Sequence, residues 1–180
     1  MIVLAGASAS GKTEVAKILA KDYNIIKVIT TTTRPIRINE VEGKDYFFVT
    51  AEKFDTMLQE DLFVEYTVYN GNLYGSTKDQ IQDDKCIIVD PIGLKAYIDL
   101  NNPNIVSFYL DSKEKTRQQR MISRGDKLED VKKRIINDRI AFKKSAINKV
   151  DYIIDSEDIT LDDLAKEIYD KYIETLKARK

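Results

Sequence analysis

Residues Met1–Thr13 read MIVLAGASASGKT, and no other stretch constrains the chain as tightly. Met1-Ile2-Val3-Leu4-Ala5 is a short apolar run, long enough for a buried strand and too short for a helix. It runs into Gly6-Ala7-Ser8-Ala9-Ser10-Gly11-Lys12-Thr13, which fits the pattern G-x-x-x-x-G-K-[ST]. Glu14–Tyr23 follows, with Val15, Ile18, Leu19 and Tyr23 at helical spacing. Strand, glycine-bounded loop and helix in that order are the context a phosphate-binding loop needs.

The residue types have physical reasons. A polyphosphate needs many donors converging on it, and backbone N–H groups of a loop and a helix N-terminus supply them. Gly6 and Gly11 permit backbone angles and an approach that a Cβ would block. Lys12 can set its ammonium between the β- and γ-phosphates, and Thr13 can offer its hydroxyl to Mg²⁺, which prefers oxygen ligands. The stretch predicts a nucleoside triphosphate site spanning Gly6–Thr13.

Composition narrows what else the chain can do. At 180 residues it predicts one compact domain. Lys plus Arg total 29 against 30 Asp plus Glu, leaving a net charge of -1. There is no global basic field to hold nucleic acid. The chain has no histidine, which excludes a histidine base, a Ser-His-Asp triad and histidine metal sites. The single cysteine, Cys86, lies in the apolar run Cys86-Ile87-Ile88-Val89 and reads as a core residue. One cysteine forms no internal disulfide, in keeping with a reducing compartment. No apolar run approaches the ~20 residues that span a bilayer, and no basic-then-apolar leader opens the chain. A cytoplasmic protein with no membrane partner is expected.

Along the chain, Ile25–Ile29 is a second short apolar run, consistent with a parallel strand. Thr30-Thr31-Thr32-Thr33-Arg34-Pro35-Ile36-Arg37-Ile38-Asn39-Glu40 is a poor helix and reads as a polar loop. Its hydroxyls and guanidinium forks suit phosphate recognition, and an ordinary exposed loop fits equally. Val41–Asp45 reads as a turn, Tyr46–Val49 as a strand and Ala51–Gln59 as a short helix. Leu62–Tyr66 and Leu73-Tyr74 flank Asn70-Gly71-Asn72, a hairpin signal. Thr30 to about Thr77 therefore reads as a mostly β insertion. Glu65 lies inside its apolar strand, either on the solvent face or held for a ligand.

Ser76-Thr77 is expected to cap a short helix reaching about Asp83. Ile87–Val89 reads as a buried strand ending at Asp90-Pro91, where a parallel α/β sheet places ligand-contacting groups. Helix Ile92–Leu100, strand Ile105–Leu110 and a helix capped by Ser112 follow. Arg117, Arg120 and Arg124 stand at i, i+3 and i+7 on one helical face, with Gly125-Asp126, Arg134 and Arg139 beyond. Such a face is either merely solvated or the cationic lid of a phosphate-transfer site. Asp151–Asp155 reads as the last strand and Leu161–Leu176 as the closing amphipathic helix. The alternation predicts an α/β fold with a central parallel sheet, helices on both faces and an insertion after the second strand.

These residues resemble the guanylate kinases, within the P-loop nucleoside monophosphate kinases. That family carries S-x-T-T-R-x-P-R-x-G-E-x-x-G-x-D-Y-x-F after its P-loop, and Thr30–Phe48 follows the same register. Its F-[IV]-E and G-x-x-Y-G-[ST] elements match Phe63-Val64-Glu65 and Gly71-Asn72-Leu73-Tyr74-Gly75-Ser76. The resemblance implies a three-layer P-loop NTPase fold with a nucleoside-monophosphate lobe at about 30–77 and a helical lid at about 117–147. The core would then comprise about 1–29, 78–116 and 148–180.

It implies ATP and GMP as substrates, with Mg²⁺ bound alongside ATP, in a monomer or homodimer. By the same resemblance Arg34, Arg37, Tyr46 and Tyr74 hold the acceptor's phosphate, with Thr30 in place of a helping serine. Glu65 would accept from guanine N1–H and the 2-amino group, with Ser76 and Asp90 nearby. Arg120, Arg124 and Arg134 look like lid arginines. Four departures are visible. The proline follows the first arginine instead of preceding the second, and Asn39 replaces a glycine. Asp90-Pro91-Ile92-Gly93, preceded by Ile88, stands for D-x-D-x-Q-G, so one acid and the glutamine are missing. Ser156 stands where an asparagine often approaches the adenine. The alternatives are a kinase for another or modified nucleoside monophosphate, and a non-catalytic guanylate-kinase-like binding module. The intact Gly6–Thr13 argues against the second.

Overall fold

Successive side chains of a strand point to opposite faces, so an unbroken apolar run is at home only where both faces are covered. The computed structural model describes residues 1–69, 71–143, 147 and 149–179, and puts the opening run in that position. Strand β1 (Ile2–Gly6) is buried along its whole length. Ile2 and Leu4 belong to one core cluster, and Met1, Val3 and Ala5 to another on the opposite face.

The remaining elements are α1 (Lys12–Asp22), β2 (Ile26–Lys27), β3 (Thr31–Thr32), β4 (Phe47–Phe48) and α2 (Ala51–Gln59). Then come β5 (Phe63–Tyr69), β6 (Asn72–Thr77), β7 (Lys85–Ile88), α3 (Pro91–Asp99) and β8 (Val106–Asp111). The chain closes with α4 (Glu114–Ser123), α5 (Leu128–Ala141), β9 (Tyr152–Asp155) and α6 (Leu161–Arg179). The central sheet runs β2-β7-β1-β8-β9, and every pair in it is parallel. Helices α1 and α6 cover one face through Val15, Leu19, Leu164, Ile168 and Tyr172. Helix α3 covers the other through Leu94 and Tyr97. Each fully buried side chain of this size contributes about 1.5–3 kcal/mol, so the sheet, not helix propensity, holds α1 and α6 in place. Cys86 is fully buried, as its surroundings predict. Among the described residues, no helix is long and apolar enough to cross a membrane.

The insertion after β2 carries a second sheet, β4-β3-β6-β5, with β5 and β6 antiparallel. Asn70 of the expected hairpin turn lies outside the described residues, as do parts of the expected 117–147 and 148–180 segments. Helix α2 starts at Thr50, whose hydroxyl accepts from Lys53 N–H at 3.2 Å, and Phe54 stacks on Phe63 with centroids 4.4 Å apart. The chain enters the insertion past Ile29, whose N–H and C=O pair with the Gln80 side chain at 2.9 and 2.7 Å. Gln80 follows the insertion's last strand, so its amide ties the two crossing segments together.

Several local expectations are corrected. The threonine stretch is not wholly a loop: Thr31 and Thr32 form β3 and are buried. The Thr32 and Thr33 hydroxyls pair with Leu73 C=O and N–H, so these side chains knit strands. Ser76 caps no helix. It lies in β6, and only one 3-10 turn, Lys78–Gln80, follows. Ser112 is not the cap of α4 either: Lys113 holds that position, and the buried Ser112 Oγ has no partner among the described residues.

Candidate active site

A parallel sheet gathers the carboxyl ends of its strands along one edge, where the chain turns into loops and helix N-termini. Two clefts open there. The first begins where β1 ends at Gly6. A Cβ on Gly6 would lie 2.7 Å from both Leu110 O and Ser10 Oγ, and the residue has φ +153°, so β8 and the loop close in only on glycine. Gly11 turns the chain into α1 at φ +100°. Lys12 Nζ donates to Gly6 O at 2.6 Å, Ala7 O at 2.8 Å and Ser10 Oγ at 3.3 Å. Burial lowers its pKa to about 8. The cleft measures about 470 Å³ and is lined by Ala9–Glu14, Arg120, Arg124, Ser156 and the apolar Ile159, Leu161 and Leu164. Gly6, Ala7 and Ser8 lie outside its lining. Thr13 is exposed in it. Among the described residues no group of three acidic or cysteine side chains could hold a metal, and the side-chain oxygens lining this cleft are the Ser10, Thr13 and Ser156 hydroxyls and the Glu14 carboxylate. That oxygen-only set fits Mg²⁺.

The arginine face is withdrawn from water at Arg117, half-buried at Arg120 and exposed at Arg124. Arg117 is buried, and its Nη1 donates to Asp138 Oδ2 at 2.8 Å. The same carboxylate accepts from Ser8 N–H at 2.9 Å and Ser8 Oγ at 3.2 Å, tying α5 to the phosphate loop. Arg120 donates to Ala9 O at 3.3 Å and Ser156 O at 2.8 Å. Ala9, at φ +61°, packs against Met121, Val131 and Ile135 of the two helices. Arg124 is the C-cap residue of α4 and forks Asp126 at 3.0 and 2.6 Å, while Arg134 reaches that carboxylate at 3.4 Å. Arg134 does not line the cleft. Ser156 does, but its hydroxyl already donates to Asp111 O at 2.8 Å.

The second cleft, about 310 Å³, lies between the inserted sheet and the end of β7. Thr30, Tyr46, Glu65, Tyr74 and Asp90 line it together with Ile88 and Ile92. Burial raises the Glu65 pKa, and the nearby Asp90 charge adds to it. Ser76, fully buried, donates from Oγ to Glu65 Oε1 at 2.6 Å. Asp90 Oδ1 accepts from Gly93 N–H at 2.8 Å, so this acid caps α3 as well as facing the cleft. Arg34 sits behind the lining, 5.3 Å from the Tyr46 ring and 5.7 Å from the Phe48 ring, and pairs with Glu40 at 2.6 Å. Arg34 holds the Glu40 carboxyl below its ordinary range. Arg37 is exposed and outside the lining; its N–H donates to the other Glu40 oxygen at 2.8 Å. Asn39, standing for a glycine, has φ +75°, a conformation asparagine tolerates better than most residues.

Sequence reading missed Asp138, Tyr97 and the tie that Glu40 makes. Asp138 carries no local signal, since only the fold brings α5 to Ser8. Tyr97 passes as an apolar helix position. Glu40 was visible in the arginine stretch as the acid nearest both guanidinium groups.

Strand, phosphate loop and helix, feeding a parallel sheet with both clefts at its carboxyl edge, define a P-loop NTPase fold. The guanylate kinase family matches residues 1–175 of the chain. A guanylate kinase of Prochlorococcus marinus is 35% identical over 184 residues, covering 97% of each protein. One from Clostridioides difficile is 30% identical over 177 residues, covering 93% of this chain and 84% of its own. Among solved structures, guanylate kinase from Anaplasma phagocytophilum aligns with a TM-score of 0.65 over 97% of this chain and 84% of its own, a likeness of fold at 22% identity. The chain belongs to the guanylate kinase family.

Proposed function

We propose that this chain transfers the γ-phosphoryl group of ATP to GMP, giving ADP and GDP. The observation that carries the reading is the Glu65–Ser76 pair, a half-buried carboxylate facing a second cleft on the sheet edge that also bears Lys12. Adenine has neither an N1–H nor a 2-amino group, so it would leave that carboxylate desolvated and unpaired. Thr30, Arg34, Arg37, Tyr46 and Tyr74 would receive the acceptor's phosphate, with Glu40 yielding the Arg34 guanidinium it holds. Ala9–Thr13 would cradle the ATP phosphates, and Ile159, Leu161 and Leu164 offer an apolar shelf for the adenine near Ser156.

An oxygen of the acceptor's phosphate is already ionised and attacks the γ-phosphorus in line. The electron pair of the breaking P–O bond passes to the oxygen that leaves on ADP. No general base is required, so catalysis rests on positioning and charge stabilisation by Lys12, Arg120, Arg124 and Arg134. Mg²⁺, held by Thr13 and phosphate oxygens, would neutralise charge on the β- and γ-phosphates. The inserted lobe (about 30–77) and the α4–α5 lid (about 117–147) would close on the core and exclude water, which suppresses hydrolysis of ATP. Magnesium, the cytoplasmic setting and a monomeric or homodimeric state belong to this proposal.

Ile88 and Ile92, where the family resemblance has an acid and a glutamine, favour one second reading: another or modified nucleoside monophosphate as acceptor. A coupled assay of ADP release from Mg-ATP, with GMP, dGMP, AMP, CMP, UMP and IMP offered separately, tests both. Selective turnover of GMP is expected. Selective use of another monophosphate would keep the phosphoryl transfer and discard the guanine assignment.

A further inference from the structure

The base-recognition pair is not self-contained. Ser76 Oγ has a second buried neighbour, the hydroxyl of Tyr97, at 3.0 Å. Tyr97 is 1% exposed and belongs to the core cluster beneath α3, whereas Ser76 and Glu65 belong to the inserted sheet. Its hydroxyl has no other hydrogen-bond partner among the described residues. Burial raises its pKa further above 10, so the phenol keeps its proton at any working pH.

The polarity of this chain follows by counting protons. A serine hydroxyl carries one, and a phenol kept in its neutral form carries one. At the far end an ionised carboxylate can only accept. Tyr97 therefore donates to Ser76, and Ser76 donates to Glu65 Oε1. Ser76, fully buried and outside the cleft lining, acts on a ligand through Glu65. Glu65 keeps Oε2 for the cleft, and the pair presents acceptors alone. An acceptor-only edge selects a base with two adjacent donors and rejects one that shows an acceptor at N1.

We infer that Tyr97 is a specificity-determining positioning residue, which holds Ser76 Oγ, and through it the Glu65 carboxylate, where that carboxylate meets the purine edge. It acts from the core on two residues of the inserted lobe, so the recognition edge is complete only while that lobe is seated against α3. The inference rests on the guanine reading above and deepens it.

The test is Tyr97→Phe, which keeps the ring and its packing and removes only the donor, together with Ser76→Ala and the double variant. Each is assayed for kcat and KM with GMP and with AMP at saturating Mg-ATP, for KM of ATP, and for melting temperature. Tyr97→Phe should raise KM for GMP about five-fold, the size of one neutral hydrogen bond, with kcat and KM for ATP unchanged. The ratio of kcat/KM for GMP over AMP should fall by about that factor, because a Glu65 carboxylate less firmly held through Ser76 is lost to guanine, while adenine has no N1–H or 2-amino donor to use it. Since Tyr97 acts only through Ser76, the double variant should match Ser76→Ala. A Tyr97→Phe effect that persists in full on top of Ser76→Ala overturns the inference, as does one spread equally over both substrates or confined to the melting temperature. A wild-type protein inert toward GMP in the same assay overturns the guanine reading itself, and the inference with it.

Discussion

The Arg117–Asp138 pair offers the sharpest test of how the helices after β8 are held to the phosphate loop. Both side chains are largely withdrawn from water, 8% and 11% exposed, and Asp138 also carries both donors of Ser8. Asp138→Ala leaves the Arg117 guanidinium with Ser112 O at 3.2 Å and Ser8 O at 3.4 Å and no countercharge. Breaking a buried pair from one side costs about 3–5 kcal/mol. For a chain of this size that is a fall in melting temperature of roughly 6–20 °C, at about 2–4 °C per kcal/mol. Arg117→Leu should cost less, because Asp138 keeps the Ser8 N–H and hydroxyl. Arg117→Leu/Asp138→Ala removes both charges beside an apolar cluster of Met121, Val131 and Ile135, and should recover most of the loss. Thermal unfolding by circular dichroism without nucleotide is the assay, since a bound ligand would mask the difference by mass action. An Asp138→Ala protein melting with the wild type would refute the argument. So would a double variant as unstable as Asp138→Ala.

Lys12→Met should abolish phosphoryl transfer in a protein that stays folded. The lysine's pKa is lowered to about 8 against 10.5 in the unfolded chain, so between those values the folded state binds fewer protons. Stability without nucleotide should therefore rise with pH across that window, and denaturant titrations should find this slope missing in Lys12→Met. The Glu65 pKa is raised, so its neutral form persists to higher pH than in an ordinary glutamate. The value of kcat/KM for GMP should fall as pH drops through that raised pKa, and Glu65→Gln should be poor throughout with no such limb. Gly6→Ala sets a Cβ 2.7 Å from a backbone oxygen of β8, and should lose ATP binding measured by calorimetry or fail to yield folded protein.

How much could be read in advance differs by region for physical reasons. Met1–Tyr23 was legible because its pattern is local: a strand buried on both faces must be apolar throughout, and a phosphate loop must have glycine at its two tightest points. The α2 span was legible through its helical periodicity, and the structure adds its Thr50 cap. The threonine stretch misled, because β3 is only two residues long and owes its form to hydrogen bonds with β6, some forty residues away. Ser112 and Ser76 were read as caps on residue type alone, and neither meets the start of a helix with its side chain.

The same division runs through the site. Chain order by itself determined the α/β layering, the phosphate loop and the inserted sheet, because each depends on residue type at a fixed short spacing. It left Glu65 open between the solvent face and a ligand, and only the family resemblance pointed to a base contact. Only the tertiary structure decided what those residues touch. It turned Arg117 and Arg120 from an apparent surface stripe onto the loop, occupied Arg34 with Glu40, and committed the Ser156 hydroxyl to Asp111. It also brought Asp138 to Ser8 across 130 positions and Tyr97 to Ser76 across 21. Such pairings arise from packing helices on a sheet, and a hydrogen bond between distant residues leaves no periodic trace in either segment.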